Sequence, residues 1–309
     1  MPISSQTPTP LHYALLPAKG EPRGRLALSH GLFVGNLAAW YLSAAPALSE
    51  AGFEVLMWDL RGHGKSARPP SGYDLNTLTD DLSALLVEVG WGEGPLSLAG
   101  HSYGALISLE WALRHPARAS RVVALDPPLR AADLAALNLA PALGEGVASA
   151  GELLAMLPAS LSASLSASLS ASLSASPNTS GAGSTPTPTS TSTPTSTSTP
   201  TPAGRRARRA LEGWWGLLTQ TTLLDDLKRP TPLTPARLAH LSAALTVIYG
   251  ARSPCLPPPG EPTPLRAAPP HQERVIAGAG HYLLNEAPAE VTAHILEALK
   301  GREGADVAH

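Results

Sequence analysis

Residues 95–106 read PLSLAGHSYGAL and place a serine between two glycines, Gly100 and Gly104. The apolar run before Gly100 predicts a β-strand, and the pattern that follows from Tyr103 predicts a helix. Glycines at these two positions allow the strand and the helix to pass close to each other around a tight turn. The turn presents the hydroxyl of Ser102 beside the helix N-terminus, where a backbone N–H can stabilise a developing oxyanion. The stretch therefore predicts that Ser102 is a nucleophile.

Outward from this turn, short apolar runs alternate with helical patterns. The predicted strands are Arg25–Ser29, Phe53–Trp58, Pro95–Ala99, Arg121–Leu125, Ala244–Tyr249 and Arg274–Ala277. The predicted helices are Leu37 to near Gly52, Leu75–Val89, Tyr103–Leu113 and Val291–Leu299. Strands that alternate with helices pair in parallel and carry helices on both faces of the sheet. The sequence therefore predicts an α/β fold with a mainly parallel, doubly wound sheet.

The middle of the chain has a different composition. Leu-Ser-Ala-Ser occurs four times in tandem over 161–176, Pro/Thr/Ser-rich sequence follows to Pro202, and 153–204 contains no charged residue. A period of four places the repeat leucines on one drifting stripe, which fits a weak amphipathic helix, although serine is a mediocre helix former. Residues 177–203 cannot bury enough apolar surface to offset their ordering entropy, so we expect a disordered linker there.

These changes in composition divide the chain into parts. The predicted parts are a first core part (1–130), an inserted lid (131–240) with a low-complexity linker at about 159–203, a second core part (241–300) and a tail (301–309). A lid helix is predicted by the apolar side chains of Trp214, Trp215, Leu217, Leu218, Leu223 and Leu224. Lids inserted between core strands control substrate size and the access of water.

Composition excludes several classes of protein. With 43% hydrophobic residues, the 309-residue chain can build a core and is not disordered throughout. The formal net charge is −2 and no basic stripe occurs, so we expect no nucleic-acid partner. We also expect no membrane contact, because signal-peptide and membrane-span patterns are missing. Cys255 is the only cysteine, which fits a reducing compartment and a cytoplasmic location, whereas the oligomeric state is not predicted.

A serine hydroxyl is a poor nucleophile without a base, and His281 is the best-placed candidate. It lies in Gly280-His281-Tyr282, directly after the last predicted strand and before the last predicted helix. The other nine histidines are less well placed, and none forms a metal-binding spacing such as H-E-x-x-H. We therefore predict neither a metal site nor a cofactor.

Four motifs occur together in this order. They are His30-Gly31, DLRGHGKS (59–66), GHSYG (100–104) and GHY (280–282) followed by Glu286 and Pro288. With these motifs the chain resembles the α/β-hydrolase superfamily, and in particular its esterase, lipase and cofactor-free haloperoxidase-like members. The resemblance covers 20–130 and 240–300.

The resemblance implies a set of roles. Ser102 would be the nucleophile and His281 the base, and the backbone N–H groups of Leu32 and Tyr103 would form the oxyanion hole. The substrate would be a small molecule, and no cofactor would be needed. Serine at the elbow also argues against haloalkane dehalogenase and epoxide hydrolase chemistry, for which those relatives place an aspartate there.

The chain departs from the family pattern at the third catalytic position. An aspartate usually follows the strand at Ala244–Tyr249 in a Gly-x-x-Asp setting, but the sequence has Ser253 at that place. Some members take the acid from the end of the preceding strand, where this chain has Asp126, which otherwise simply begins a turn. Three alternatives stay open: Asp126 as the acid, Glu261 as the acid, or a Ser–His dyad. Cys255 follows closely but is interpreted as a bystander.

The sequence thus predicts a serine hydrolase that cleaves a small ester-like acyl substrate by a Ser-Asp-His mechanism. An acyltransferase or a C–C bond hydrolase could use the same site. The difference lies in whether water or another nucleophile takes the acyl group. A catalytically silent binding protein is the alternative suggested by the missing aspartate. A scaffold role through the Pro/Thr/Ser-rich segment is a further hypothesis.

Overall fold

The computed structural model describes residues 9–32, 35–130, 133 and 212–300. Its centre is a seven-stranded sheet in the order β1-β3-β2-β4-β5-β6-β7. The strands are β1 (Tyr13–Leu16), β2 (Gly24–Ser29), β3 (Phe53–Trp58), β4 (Leu96–His101), β5 (Ala119–Leu125), β6 (Ala244–Gly250) and β7 (Gln272–Ile276). Only β1 pairs antiparallel with its neighbour β3, and the five other pairs of neighbours are parallel. This is the predicted mainly parallel, doubly wound sheet.

Helices cover both faces of the sheet. The helices of the described residues are α1 (Leu37–Tyr41), α2 (Ala45–Glu50), α3 (Leu75–Glu88), α4 (Tyr103–Arg114), α5 (212–219), α6 (Leu223–Asp226), α7 (Pro235–Leu238), α8 (Leu283–Glu286) and α9 (Pro288–Lys300). A 3₁₀ turn at Pro264–Ala267 precedes β7. Because each central strand is covered on both sides, its side chains divide between two apolar clusters.

The two clusters show which helices form each layer. The larger cluster joins alternate side chains of the sheet to α3, α4 and α5–α7, for example Leu82, Leu106 and Leu217. The smaller cluster joins the other side chains to α1, α2, α8 and α9, for example Leu48 and Ile295. The functional loops at the carboxyl ends of the strands therefore stand on a sheet that is buried from both sides.

Several predicted elements have the observed bounds to within a residue or two. Phe53–Trp58 is confirmed as a strand without change, and the helix predicted from Leu75 ends one residue early, at Glu88. The single helix predicted from Leu37 to near Gly52 is wrong, because α1 ends at Tyr41 and α2 begins anew with a proline in its first turn. Proline fits a first turn because its missing N–H would have no partner there.

Part of the predicted insertion lies outside the described residues. This holds for the Leu-Ser-Ala-Ser repeats, the linker at about 159–203 and most of the lid at 131–240. The predicted tail at 301–309 also lies outside the described residues. In the described remainder, Trp214, Leu217, Leu218 and Leu223 are buried in the larger cluster. A Cβ added to Gly62 would meet the side chain of Leu217, so α5 packs directly on the loop after β3.

Within the part of the chain that the structure describes, no helix combines the length and the apolar character needed to cross a membrane.

Candidate active site

Ser102 lies on a strained turn between β4 and α4. Its φ of 55° and ψ of −124° fall in a region that non-glycine residues rarely occupy. A Cβ on Gly100 would collide with the carbonyl of Gly104, and one on Gly104 would collide with the carbonyl of Ser29. Both glycines are therefore required by the close approach of backbones, as the sequence predicts.

The hydroxyl of Ser102 lies beneath the surface, although the sequence analysis expects the turn to expose it. The residue is only 7% exposed, and its hydroxyl lies against the imidazole of His281. The distance from Ser102 Oγ to His281 Nε2 is 2.9 Å, which is a hydrogen bond. The loop after β7 thus carries His281 to the end of β4, past the two strands that lie between them in the sheet.

Asp126 approaches the same imidazole from the opposite side. Its Oδ2 lies 2.5 Å from Nδ1 of His281, and its side chain is fully buried. The residue has a φ of 49°, so the backbone turns sharply where β5 ends. The structure therefore brings Ser102, His281 and Asp126 into one hydrogen-bonded line, in which Nε2 of the histidine bonds to Ser102 and Nδ1 bonds to Asp126.

The carboxylate of Asp126 is held by further donors from the end of β6 and the loop that follows it. The backbone N–H of Gly250 donates to Oδ1 at 3.1 Å, and the hydroxyl of Ser253 makes a short hydrogen bond to Oδ2. The N–H of Asp126 itself donates to the carbonyl of Ile248 at 2.7 Å. The residue at the usual acid position, Ser253, is thus in contact with the acid that lies next to His281. This contact was not predicted from the sequence.

Glu261 does not contact His281 in the structure. Its carboxylate pairs with Arg130 at 2.6 Å, and its side chain is 42% exposed. Because Nδ1 of His281 is already bonded to Asp126, the alternative in which Glu261 supports this histidine is wrong. The physical reason is that Arg130 holds the carboxylate of Glu261, while Asp126 occupies the position next to Nδ1.

His101 fixes the backbone of the loop that carries His281. Its Nε2 lies 2.6 Å from the carbonyl oxygen of His281, so Nε2 must carry a proton and donate it. Burial lowers the pKa of His101 to about 4, with a smaller contribution from the neighbouring His281. The imidazole is therefore neutral near neutral pH, and it points into the fold as its place beside Ser102 predicts.

The two predicted oxyanion-hole residues both lie beside Ser102. Tyr103 follows it directly and begins α4, and Leu32 follows Gly31, where an added Cβ would lie 3.0 Å from Cβ of Ser102. Within the described ranges, the backbone N–H groups of Leu32 and Tyr103 have no hydrogen-bond acceptor. Two unpaired donors next to a serine hydroxyl are available to a negatively charged oxygen.

Cys255 is closer to the site than its place in the sequence suggests. Its Sγ lies 3.7 Å from Nδ1 of His281, and burial raises the pKa of the thiol well above its ordinary value. The thiol is therefore protonated, and it faces the ring nitrogen that points away from Ser102. The interpretation of Cys255 as a residue other than the nucleophile agrees with this position.

Asp126, Cys255 and His281 are also the described residues that could bind a metal ion together. Their ligand atoms lie within 4.8 Å of one another. However, two ligand atoms of one zinc ion lie more than about 3 Å apart, since each bond is about 2.0–2.2 Å long. The 2.5 Å between Nδ1 and Oδ2 fits a shared proton instead. The geometry favours a hydrogen-bonded pair.

Two buried histidines hold the loops around the site. His30 accepts a hydrogen bond at Nε2 from the N–H of Leu60 at 3.0 Å, and its Nδ1 donates to the carbonyl of Gly31 at 2.7 Å. His63 lies beside it, with ring centroids 5.3 Å apart, and burial lowers its pKa to about 3. Both conspicuous histidine motifs near the N-terminus therefore order the loops that surround Ser102.

Comparison with known proteins agrees with this architecture. The sequence profile described as alpha/beta hydrolase fold matches residues 25–288, which is most of the chain. The chain belongs to the α/β-hydrolase fold family. The superfamily resemblance and the fold class predicted from the sequence are thereby confirmed.

Named relatives show the range of chemistry on this fold. Epoxide hydrolase A of Mycobacterium tuberculosis is 38% identical over 112 residues, which are 35% of this chain and 34% of that protein. An sn-1-specific diacylglycerol lipase of Danio rerio is 35% identical over 125 residues, which are 40% of this chain and 38% of that protein. This α/β-hydrolase thus matches only about a third of the length of these curated relatives. They support hydrolase chemistry without specifying the substrate.

A solved structure extends the likeness to nearly the whole chain. A thermophilic esterase from Thermogutta terrifontis superposes with a TM-score of 0.61 and 22% sequence identity. The superposition covers 94% of this chain and 93% of that one. At this level of identity the likeness establishes a shared fold. The activity of the α/β-hydrolase has to be inferred from the residues of its site.

Proposed function

We propose that this α/β-hydrolase is a serine hydrolase that cleaves a small ester-like acyl substrate through Ser102, His281 and Asp126. The observation that supports it best is the continuous hydrogen-bonded line from Ser102 Oγ through both nitrogens of His281 to Asp126. This order of donors and acceptors is what a nucleophile, its base and an orienting acid require. The family and its hydrolase relatives support the reaction class.

The reaction begins with attack of Ser102 Oγ on the acyl carbonyl. His281 Nε2 takes the hydroxyl proton, and the negative charge develops on the former carbonyl oxygen. The backbone N–H groups of Leu32 and Tyr103 then donate to this oxygen, because they lie beside Ser102 and have no other acceptor among the described residues. Asp126 keeps the remaining proton of His281 on Nδ1 and stabilises the imidazolium.

Collapse of the tetrahedral intermediate releases the alcohol and leaves an acyl group on Ser102. His281 Nε2 gives its proton to the leaving oxygen, and then removes a proton from a water molecule that attacks the acyl-enzyme. The second tetrahedral intermediate releases the carboxylic acid and returns the proton to Ser102. Apart from water, every group that takes part in the cycle is a side chain or a backbone N–H of this chain.

Serine at the elbow also bears on the epoxide hydrolase relative. The match to that protein covers 35% of this chain, and its activity does not follow from so short a segment. In this chain the elbow residue is Ser102, whose hydroxyl needs the base that His281 supplies.

We also propose a cytoplasmic location, because the single cysteine Cys255 is a free, buried thiol.

A serine-reactive fluorophosphonate probe tests the proposal. Wild-type protein and Ser108→Ala should be labelled, because Ser108 is buried in α4 and its hydroxyl bonds only within that helix, to the carbonyl of Gly104. Ser102→Ala should not be labelled and should lose turnover of p-nitrophenyl esters by about 10⁴- to 10⁶-fold. Labelling of the Ser102→Ala variant would overturn the proposal.

Product analysis separates hydrolysis from acyl transfer. A panel of p-nitrophenyl esters of graded acyl length, assayed with and without an added alcohol, identifies both the preferred acyl group and its acceptor. Free carboxylic acid as the main product in both conditions supports the hydrolase. An ester of the added alcohol as the main product would assign the chain to the acyltransferases.

A further inference from the structure

Donors from the end of β6, the loop after β6 and the loop after β7 surround the carboxylate of Asp126. Asp126 is fully buried, and an isolated carboxylate is costly to bury unless hydrogen bonds compensate for the lost water. Within the described ranges, the N–H of Gly250 donates to Oδ1, Ser253 and His281 both bond to Oδ2, and the thiol of Cys255 also lies beside the carboxylate. Ser253 and His281 therefore share one oxygen atom.

The proton of the Ser253 hydroxyl has a defined direction. The backbone N–H of Cys255 donates to Ser253 Oγ at 3.1 Å, which occupies the hydroxyl as an acceptor. An ionised carboxylate can only accept, so the hydroxyl donates to Oδ2 of Asp126. Ser253, which occupies the position where the family usually has its acid, thus donates a hydrogen bond to Asp126.

The loop that carries Ser253 is itself fastened to the chain after β5. Arg130 donates from Nη2 to the carbonyl of Pro254 at 3.0 Å and from Nη1 to Glu261 at 2.6 Å. Its Nε donates to the buried carboxylate of Asp133 at 2.8 Å. These bonds hold the residue next to Ser253 against the segment that begins at Asp126, so the distance between the two side chains is set by the fold.

We propose that Ser253 is a positioning residue, which holds the carboxylate of Asp126 in the orientation that receives the Nδ1 proton of His281. This role rests on the proposed function, in which Asp126 orients His281. Without the hydroxyl, Oδ2 loses a donor, and the rotation of the carboxylate about its χ2 bond is restrained less. The proton on Nδ1 would then lose its aligned acceptor, and Nε2 would become a weaker base toward Ser102.

The matched pair Ser253→Thr and Ser253→Val isolates the hydroxyl. Threonine keeps the donor, whereas valine has nearly the same shape without it, so both variants carry the same added methyl group. Ser49→Ala is a control for the loss of a buried serine hydroxyl elsewhere, since Ser49 is 2% exposed and donates to the carbonyl of Pro17 at 2.7 Å. Far-ultraviolet circular dichroism and thermal unfolding establish that each variant is folded.

The first measurement is kinetic. We expect Ser253→Val to lower kcat for the best p-nitrophenyl ester and the rate of fluorophosphonate labelling by about 10- to 100-fold, with KM within a few-fold of wild type. Ser253→Thr should retain most of both rates, and Ser49→Ala should change neither. Equal rates for the threonine and valine variants would overturn the proposal.

The second measurement does not depend on substrate. The Nδ1 proton of His281, bonded to a buried carboxylate, should give a proton NMR signal downfield of the amide region, assigned by its loss in His281→Gln. We expect this signal to persist in Ser253→Thr and to move upfield or vanish in Ser253→Val. A signal unchanged in Ser253→Val would overturn the proposal even where the kinetic result is absent. Failure of wild-type labelling would instead refute only the proposed function.

Discussion

Asp126 reaches His281 at 2.5 Å although β6 lies between the strands from which the two residues depart. It does so because its φ of 49° turns the backbone across the end of β6, where Ile248 accepts its N–H and Gly250 donates to its carboxylate. In this way one strand end supplies the acid, and the next supplies the hydrogen bonds that hold it. The loop after β6 is thereby free of the need to carry an acid.

The first prediction tests this assignment of the acid. Asp126→Asn keeps the shape but removes the charge and allows the wrong tautomer of His281, a change that lowers kcat by about 10⁴-fold in the well-known serine-protease case. Glu261→Gln is the matched control, because that carboxylate pairs with Arg130 and should change kcat by less than a few-fold. Esterase kinetics on both variants decide the matter. An Asp126→Asn enzyme within a few-fold of wild type would favour a Ser–His dyad.

The sheet was predictable where the strands are central and apolar. Phe53–Trp58 is buried along almost its whole length, so a continuous apolar run was sufficient to define it. The sequence analysis missed β1, because Tyr13–Leu16 is a four-residue edge strand with half-exposed side chains and no clear alternation. Its antiparallel pairing with β3 depends on the tertiary position of the chain and leaves no local pattern.

The site was predictable where a residue type is tied to a local turn. Ser102 could be found because the turn needs Gly100 and Gly104, and both are visible in the sequence. The hydrogen bond from Ser253 to Asp126 could not be found in this way, since it joins two loops and depends on a side-chain direction. The contact of Cys255 with His281 has the same origin.

The second prediction concerns the pH dependence of stability through His101. Burial lowers its pKa from 6.5 to about 4 in the folded chain, so the unfolded chain binds the proton more readily. The contribution is fully present above the unfolded value of 6.5 and is lost as the pH falls toward 4. At the lower end the loss is on the order of 3 kcal/mol of the free energy of unfolding.

His101→Gln tests this linkage. The glutamine amide does not titrate and can still donate to the carbonyl of His281, so stability should fall less steeply with decreasing pH than in wild type. Urea unfolding between about pH 7 and pH 4.5 measures the slope. His115→Gln, in which the replaced ring is half-buried, serves as the control. The slope of His101→Gln should stay above zero, because His63 contributes in the same direction. Identical slopes for wild type and His101→Gln would contradict a contribution of His101 to the pH dependence of stability.

The third prediction compares two adjacent aspartates in α6. Asp226 is buried, and its Oδ2 accepts hydrogen bonds from the N–H of Tyr73 at 2.9 Å and from Thr222 at 2.6 Å. Asp226→Ala should lower the free energy of unfolding by about 1–3 kcal/mol, because the buried N–H of Tyr73 loses its acceptor. Asp225→Ala should change it by less than about 0.5 kcal/mol, since that side chain is 76% exposed and its ion pair with Lys228 is a surface pair. Equal effects in urea unfolding would show that α6 is not anchored by Asp226.

The fourth prediction concerns the close packing at the elbow. An added Cβ at Gly104 would meet backbone atoms of Ser29 and His30, which cannot move without displacing β2. Gly104→Ala should therefore cost more than about 3 kcal/mol of stability and abolish fluorophosphonate labelling. Gly92→Ala should be neutral or slightly stabilising, because its Cβ would lie 3.4 Å from the side chain of Val87, an ordinary contact. A labelled, stable Gly104→Ala protein would contradict the packing described here.

The last prediction moves the acid to its usual place in the family. Ser253 is hydrogen bonded to Asp126 at the same oxygen that meets His281, so a carboxylate at position 253 lies within reach of the Nδ1 proton. Ser253→Asp alone should impair turnover, because two neighbouring buried carboxylates repel each other. Combined with Asp126→Asn, it should give a kcat at least tenfold higher than that of Asp126→Asn alone, since one charge again faces the imidazole. The control is Asp126→Asn with Ser253→Asn, which has the same shape without any charge. If the two double variants have equal kcat, the loop after β6 no longer holds position 253 where an acid can serve His281, and Asp126 is irreplaceable in this chain.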